Sequence, residues 1–202
     1  MGNIGIFGGT FNPVHNGHIR LVETVAQAID FDRIIVMPDR IPPHKKASEL
    51  ASGEDRLQMC KLAFEDMENV EVSDWELRQS GKSYTVFTLE HLKKQYPDDT
   101  LWLIMGSDML LYFEHWYRYE DILSLAGIAC ISRRGEDTDE LLEEHARRLE
   151  SGGNGRRIVI VKAQPFEVSS SQLRGNIKKM EDTSCYFPKK IVQYIYEHGL
   201  YR

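Results

Sequence analysis

The chain has 202 residues, 42% of them hydrophobic, and 25 Lys and Arg against 31 Asp and Glu give a formal net charge of −6. This length and composition predict one compact domain, residues 1–202, and the negative charge argues against a domain that coats nucleic acid through its phosphates. The longest apolar runs, such as residues 101–105, are far shorter than the roughly 20 residues that cross a bilayer. We therefore predict neither a nucleic-acid partner nor a membrane partner.

Cellular location is predicted from the N-terminus and the cysteines. The first residues contain no basic region followed by an apolar core, which argues against a secretory signal. Cys60, Cys130 and Cys185 are widely separated and form no CxxC pair, so neither a disulfide framework nor a zinc knuckle is indicated. We expect a cytoplasmic protein with reduced, mostly buried cysteines.

Short β-branched runs alternate with stretches of helical periodicity along the chain. Six runs are predicted as strands: residues 3–7, 33–37, 70–73, 100–105, 127–131 and 157–161. Apolar residues recur at helical spacing at Ile19, Val22, Ala26 and Ile29, and again at Leu57, Cys60, Phe64 and Met67. This order predicts an α/β fold, a Rossmann-like doubly wound parallel sheet with right-handed crossover helices.

Two acidic stretches and one stretch near the end of the sequence, residues 191–196, are expected to have no part in chemistry. The acidic residues concentrate at 65–76 and 136–150, which we expect to form solvated surface. Residues 169–202 are predicted as a small C-terminal helical part of the domain. Its stretch 191–196, after Pro188, is expected to close the fold by aromatic packing.

The most informative segment runs from Gly8 to His18, between the first strand and the first helix. Ligands of open α/β sheets bind outside the carboxyl ends of strands, where a helix N-terminus offers N–H groups to an anion. Glycines let the backbone approach a phosphate, and His15 and His18 supply directed donors. Neither a P-loop nor a GxGxxG fingerprint is present.

Two other interpretations of the histidine pair stay open at this point. His15 and His18 could bind a metal, although the Glu of HExxH and a nearby third ligand are lacking. The segment could also be a glycine turn in which the histidines cap the helix. The charge of the rings is open too, because a helix N-terminus disfavours an imidazolium whereas a bound triphosphate favours it.

A second polar segment, Val168 to Arg174, follows the sixth predicted strand. Its serine hydroxyls are expected to cap a helix whose N–H groups face an anion, with Arg174 one turn inside. Taken by itself, an ordinary capped helix would explain this pattern.

Together the two segments resemble the HxGH nucleotidyltransferase superfamily. Within it, the chain is similar over nearly its whole length to the bacterial nicotinate-nucleotide adenylyltransferase family. The supporting segments are Pro42-Pro43-His44-Lys45, Gly81-Lys82-Ser83-Tyr84-Thr85, and Met105-Gly106-Ser107-Asp108 with Trp116 downstream. Asn12 stands where Asp is common and Ser171 where Thr is common, and each keeps a side-chain oxygen able to cap.

The resemblance implies an adenylyl transfer from ATP to nicotinate mononucleotide, giving the dinucleotide and pyrophosphate in NAD biosynthesis. The mononucleotide phosphate would attack the α-phosphate of ATP in line, so alignment and charge stabilisation would suffice for catalysis. Mg²⁺ would arrive with ATP and need few protein ligands. No metal-ligating side chain is assigned.

The resemblance also implies roles for individual residues. His15, His18 and Arg174 would be catalytic. ATP would be bound by Gly8, Gly9, Thr10, Phe11, His15, His18, Gly106, Asp108, Ser169, Ser170, Ser171 and Arg174. Nicotinate mononucleotide would be bound by Lys45, Ser83, Tyr84, Thr85 and Trp116.

Alternatives remain for the residues and for the function. Without the family, Trp116 could be a packing residue, Asp108 a helix cap and Lys45 a solvated charge. The acceptor could be nicotinamide mononucleotide or another phosphate, and the chain could be a non-catalytic nucleotide sensor or a metal-dependent hydrolase. The sequence also leaves open a homo-oligomer such as a dimer.

Overall fold

The structure is a computed structural model that describes residues 2–42, 50–133, 139–152, 157–163 and 168–202. Every run predicted as a strand is a strand, with its ends shifted by two residues or fewer. The strands are β1 (Asn3–Gly9), β2 (Arg33–Pro38), β3 (Val70–Val72), β4 (Thr100–Gly106), β5 (Ala126–Arg133) and β6 (Ile158–Ala163).

The six strands form one sheet in the order β3-β2-β1-β4-β5-β6. The pairs β1/β4, β4/β5 and β5/β6 are parallel, with Ile4 opposite Leu101 in the first of them. In this order the chain winds outward from β1 in one direction and then from β4 in the other, as in Rossmann-like folds. The predicted doubly wound α/β fold is confirmed.

Helices connect the strands in the described part of the chain. They are α1 (Asn16–Ala28), α2 (Gly53–Phe64), α3 (Trp75–Arg78), α4 (Thr85–Gln95), α5 (Ser107–Leu111), α6 (Tyr119–Leu125), α7 (Asp139–Ser151), α8 (Ser170–Lys178) and α9 (Lys189–Glu197). Two 3₁₀ turns cover Phe113–His115 and Ser184–Tyr186. None of the helices described here combines the length and the apolarity that crossing a membrane requires.

One helix lies where only solvated surface was expected. The acidic stretch 136–150 contains most of α7, which exposes its acidic face and buries Leu142, Ala146 and Leu149. Acidic residues are compatible with a helix whose apolar residues recur every three or four positions. The stretch is therefore an amphipathic helix with one solvated face.

The chain divides into two compact units. Unit 1 comprises Met1–Gly8, Leu21–Ile35 and Tyr84–Pro165, and unit 2 comprises Gly9–Arg20, Val36–Ser83 and Phe166–Arg202. Unit 2 contains the second polar segment singled out in the sequence and, except for Gly8, the first. That residues 1–202 act as one domain stays a prediction.

The cysteines follow the expectation at two positions of three. Cys60 in α2 and Cys130 in β5 are buried, whereas Cys185 is exposed. Burial raises the pKa of the Cys60 thiol well above its usual value. Cys60 is therefore a neutral packing residue, and the expectation of burial is wrong for Cys185.

A buried arginine organises unit 2. Arg56, in the first half of α2, is 1% exposed. Its Nε donates to the carbonyl of Ala51 at 3.2 Å, its Nη1 to the carbonyl of Thr10 at 2.8 Å, and its Nη2 to the carbonyl of Arg40 at 3.2 Å. Arg56 thus holds α2 against the chain segments that follow β1 and β2.

Asp39 completes this network as the counter-charge. Its Oδ1 lies 3.4 Å from Nη1 of Arg56, and its Oδ2 accepts a hydrogen bond from Oγ1 of Thr10 at 3.0 Å. The backbone N–H of Asp39 donates to the carbonyl of Gly9 at 2.9 Å. The residues at the end of β1 and after it are therefore held by the charged pair and by the backbone N–H of Asp39, the residue after β2.

We expect Arg56→Met to lower the free energy of unfolding by about 3–5 kcal/mol, because it removes the buried cation that pairs with Asp39 and donates to three carbonyls. Urea unfolding followed by circular dichroism measures this change. Arg78→Ala is the matched control, since Arg78 pairs with Asp74 but its side chain is 74% exposed. It should change stability by less than about 0.5 kcal/mol. Equal losses in the two variants would contradict the role given to Arg56.

Candidate active site

The loop after β1 turns on a phenylalanine in a left-handed conformation. Phe11 has φ +47° and is 2% exposed. Its ring lies over Gly9, where an added Cβ would come within 2.9 Å of the ring. The same ring contacts the His18 ring edge to face, with 5.2 Å between the centroids. Gly9 must therefore be glycine for packing, and the Phe11 side chain supports His18.

The two histidines lie against each other at the start of α1. Their ring centroids are 3.8 Å apart and the planes are tilted by 37°. The backbone N–H of Gly17 donates to Nδ1 of His15 at 3.1 Å, and the backbone N–H of His15 donates to Nδ1 of His18 at 3.2 Å. Because both Nδ1 atoms accept hydrogen bonds, the proton of each neutral ring lies on Nε2.

These bonds bear on the alternatives left open for the pair. His15 precedes the first residue of α1 and accepts from the second, so it caps the helix as the capping interpretation proposed. Capping fixes the ring, and a fixed ring presents its Nε2–H in one direction. Capping and ligand binding are therefore compatible functions of His15.

The second polar segment forms the predicted capped helix. Ser169 is the N-cap of α8, and its hydroxyl accepts from the backbone N–H of Gln172 at 3.2 Å. Arg174 lies one turn inside α8, as predicted, and its Nη2 donates to Oγ of Ser171 at 3.2 Å. The start of α8 thus brings together three serines, Ser169, Ser170 and Ser171, and Arg174.

The structure joins the two segments, which are about 150 residues apart in the sequence, within unit 2. Oγ of Ser170 donates to the carbonyl of Pro13 at 3.0 Å, and Nη1 of Arg174 donates to the carbonyl of Asn12 at 2.8 Å. The starts of α1 and α8, each with its N–H groups and side-chain donors, are held to one loop. Such a set of donors suits a polyanionic ligand.

Asn12 bonds to distant segments of the chain. Its side-chain oxygen is able to cap a helix, but Oδ1 instead accepts from the backbone N–H of Ala51 at 3.0 Å and from the hydroxyl of Tyr201 at 2.9 Å. Asn12 is 2% exposed, so it acts as an internal connection between the loop and two distant segments.

In unit 1, the predicted residues at the end of β4 lie at the start of a short helix. Gly106 is the last residue of β4 and precedes α5, and Asp108 is exposed in the first turn of that helix. The N-cap position belongs to Gly106, so Asp108 is not the helix cap that an isolated aspartate would suggest. Gly8, also in unit 1, is exposed, and an added Cβ would meet no described atom within 4 Å.

Two of the residues predicted for the mononucleotide, Tyr84 and Trp116, make separate aromatic contacts in unit 1. Tyr84 precedes α4, of which Thr85 is the first residue, and its ring lies 4.9 Å from that of Tyr117. Trp116 follows the 3₁₀ turn and is half-buried, with its ring 5.4 Å from that of buried Phe113. Trp116 therefore packs on one side while part of its surface stays accessible.

The remaining predicted residues have different outcomes. Ser83 belongs to unit 2, where its hydroxyl accepts from the backbone N–H of Arg40 at 3.0 Å and its own N–H donates to the carbonyl of Ile41. Lys45 lies outside the described residues. Within the ranges described, no group of three or more His, Cys, Asp or Glu is arranged to hold a metal ion.

Sequence reasoning missed three residues that hold the site together: Arg56, Asp39 and Tyr201. Arg56 precedes an amphipathic run and is a charged residue of the kind usually found at exposed helix positions. Tyr201 is 189 residues from its partner Asn12. The one available signal was the pair of polar residues, Asp39 and Arg40, directly after β2, since such positions often serve a site.

Comparison with known proteins identifies the family of the chain. Residues 6–176 match the family model described as cytidylyltransferase-like. The chain is 34% identical to the probable nicotinate-nucleotide adenylyltransferase of Clostridium tetani, with 98% of each chain covered. It is 33% identical to the nicotinate-nucleotide adenylyltransferase of Bacillus subtilis, with 100% of this chain and 99% of the relative covered.

Solved structures share the fold. One is the nicotinic acid mononucleotide adenylyltransferase of Plasmodium falciparum complexed with NaAD, with a TM-score of 0.82, 20% identity, and coverage of 100% of this chain and 98% of that one. Another is a putative nicotinate-nucleotide adenylyltransferase from Vibrio parahaemolyticus, with a TM-score of 0.70, 22% identity, and coverage of 100% and 96%. Given its full-length relatives and the match over residues 6–176, the chain belongs to the cytidylyltransferase-like family, and within it to the nicotinate-nucleotide adenylyltransferases.

Proposed function

We propose that this chain transfers the adenylyl group of ATP to nicotinate mononucleotide, forming nicotinate adenine dinucleotide and pyrophosphate in NAD biosynthesis. The observation that carries this proposal is the direct connection of the two polar segments in unit 2, through Ser170 to Pro13 and through Arg174 to Asn12. Full-length relatives with the corresponding names support the same activity.

The chemistry requires donors rather than a strong base. The phosphate of the mononucleotide is already a nucleophile, so an in-line attack on the α-phosphate needs the two reactants aligned and the charge on the transferring group stabilised. Fixed N–H donors in a pre-formed site provide that stabilisation without reorganising during the reaction. The two imidazoles and the starts of α1 and α8 are donors of this kind.

Within this set, each residue has a distinct proposed role. His18 donates its Nε2–H to the α-phosphate, and His15, fixed by its capping bond, donates beside it. Arg174 and the first N–H groups of α8, at Ser170 and Ser171, bind the β- and γ-phosphates. The hydroxyls of Ser169 and Ser170 are already hydrogen-bonded within the protein, so these two residues contribute mainly backbone and position. The backbone at Gly8, Gly9, Thr10 and Phe11 lines the same cradle.

Mg²⁺ fits this donor set as a companion of ATP. The side chains at the joined segments are imidazole, hydroxyl and guanidinium groups, which suit phosphate oxygens better than they suit Mg²⁺. The ion would therefore be held by phosphate oxygens and water, and it would supply neutralisation of the triphosphate charge. His15 and His18 would contact phosphate directly.

The other substrate groups are assigned to residues of unit 1. The backbone N–H groups at Tyr84 and Thr85, at the start of α4, would meet the nicotinate carboxylate, and the accessible face of Trp116 would stack on the pyridine ring. Asp108 and Gly106 would contact the ribose of ATP. Lys45 is proposed for the mononucleotide phosphate, and Ser83 supports the segment before Tyr84 through its bonds to Arg40 and Ile41.

His18→Ala should lower kcat by about 100-fold or more, because it removes a fixed donor to the transferring phosphate. Initial rates of pyrophosphate release and thermal melting measure the two effects separately, and we expect the melting temperature to change little. His198→Ala is the control, since that half-exposed ring stacks on Tyr194 in α9. Wild-type turnover by the His18 variant would contradict the phosphate role.

Trp116→Ala should raise the KM for nicotinate mononucleotide about tenfold and leave the KM for ATP nearly unchanged, because it removes a stacking surface for one substrate. Trp116→Phe, which keeps a flat ring, should recover most of that loss. Steady-state kinetics with each substrate varied in turn measure both constants. An equal rise in the two KM values would favour a packing role for Trp116.

The acceptor is tested by comparing nicotinate mononucleotide, nicotinamide mononucleotide and phosphopantetheine under the same conditions. We expect the highest kcat/KM with nicotinate mononucleotide, because N–H donors at the start of α4 favour a carboxylate over an amide. Faster release of pyrophosphate with another acceptor would overturn the substrate assignment. ATP binding without turnover would indicate a nucleotide sensor, and ATP-independent hydrolysis with stoichiometric metal would indicate a hydrolase.

A further inference from the structure

Asn12 connects three separate parts of unit 2 at the base of the phosphate-binding loop, residues 9–18. Its carbonyl accepts from Nη1 of Arg174, and its Oδ1 accepts from the N–H of Ala51 and from the hydroxyl of Tyr201. The side chain and the carbonyl both belong to Asn12, so fixing the orientation of one restricts the orientation of the other. Whatever fixes Oδ1 therefore helps to fix the guanidinium of Arg174.

Tyr201 is held in an uncommon backbone conformation. Its φ is +63°, a value that residues with side chains adopt rarely and at some energetic cost. The ring is half-buried, and burial raises the pKa of its hydroxyl above the usual value, while Arg174 and Arg56 act to lower it. The hydroxyl stays protonated in the neutral range and can donate to Asn12 throughout it.

We propose that Tyr201 is a positioning residue of the active site, whose hydroxyl fixes the Asn12 side chain and through it the loop carbonyl that orients Arg174. The proposal rests on the function proposed above, since it assigns Arg174 to the ATP phosphates. It places a determinant of ATP use near the C-terminal end of the sequence, in a segment that carries no motif. Tyr201 itself is not assigned a contact with substrate.

The chain offers a matched control in Tyr194. The hydroxyl of Tyr194, in α9, donates to Oδ1 of Asp55 in α2 at 3.0 Å. Burial and the hydrogen bond to Asp55 raise the pKa of Tyr194 to about 12, so this hydroxyl is also a neutral donor. Tyr194→Phe removes the same group from the same unit, from a bond that does not involve the loop.

Tyr201→Phe should lower kcat/KM for ATP by about 3- to 10-fold, the effect of one neutral hydrogen bond on a positioned group. The KM for nicotinate mononucleotide should stay within about twofold of wild type, because its proposed residues are elsewhere. Tyr194→Phe should leave kcat/KM for ATP and the KM for nicotinate mononucleotide within about twofold of wild type. It should lower the melting temperature about as much as Tyr201→Phe does. Equal kinetic effects in the two variants, or an effect of Tyr201→Phe on both substrates alike, would overturn the proposal.

A second variant tests whether Tyr201 acts through Asn12. Asn12→Asp keeps the acceptor oxygen Oδ1, replaces the amide NH2 by a second acceptor oxygen, and converts the hydrogen bond from Tyr201 to a charge-assisted one, which is about twice as strong. The loss caused by Tyr201→Phe should therefore be larger in the Asn12→Asp background than in wild type. The same loss in both backgrounds would show that the two residues are not coupled and would overturn the proposal.

A direct binding measurement separates this proposal from the proposed function. Calorimetric titration with Mg²⁺-ATP in the absence of acceptor should show weaker binding to the Tyr201→Phe variant than to the Tyr194→Phe variant. If the wild-type chain binds ATP but releases no pyrophosphate with nicotinate mononucleotide, the proposed function fails, and the binding comparison still decides the role of Tyr201. A wild-type chain that binds no ATP would overturn both.

Discussion

The buried ion pair between Arg56 and Asp39 is the interaction on which the rest of unit 2 depends. A guanidinium that is 1% exposed is costly to bury unless its donors are satisfied, and here three carbonyls and one carboxylate accept from it. Those carbonyls belong to three different segments, at Thr10, Arg40 and Ala51. The hydrogen bonds that offset the desolvation of Arg56 therefore also fix the positions of the residues after β1.

This arrangement fits the proposed binding of a triphosphate by a chain of negative net charge. The loop backbone is held through the carbonyl of Thr10, which accepts from Arg56, and through the carbonyl of Gly9, which accepts from the N–H of Asp39. Nδ1 of His15 and Nδ1 of His18 each accept from a backbone N–H. Fixed N–H donors at two helix starts are the kind of group that stabilises charge developing on a phosphate.

The sequence predicted the parts of this site whose signals are local. These signals are patterns among residues a few positions apart. They predicted the strands to within two residues at each end, the histidine pair at the start of α1 and the serines at the start of α8. Arg56 was missed because a charged residue at a helical position gives no sign that its donors will be satisfied by distant carbonyls. The partners of the Asn12 side chain could not be predicted for the same reason, since Ala51 and Tyr201 are 39 and 189 residues away.

The residues that fix the loop share a physical property that distinguishes them from the residues predicted to act on a ligand. His15, His18 and Arg174 carry groups that can act on a ligand, so chemistry alone singles them out. Arg56, Asn12 and Tyr201 instead act on the backbone that presents those groups, and many residue types can satisfy a carbonyl or an N–H. Alignment within a fraction of an ångström is what an in-line transfer requires, and positioned donors lose their value when the backbone beneath them shifts. The proposed roles of His15, His18 and Arg174 therefore depend on hydrogen bonds from residues outside the two polar segments, such as Arg56 and Tyr201.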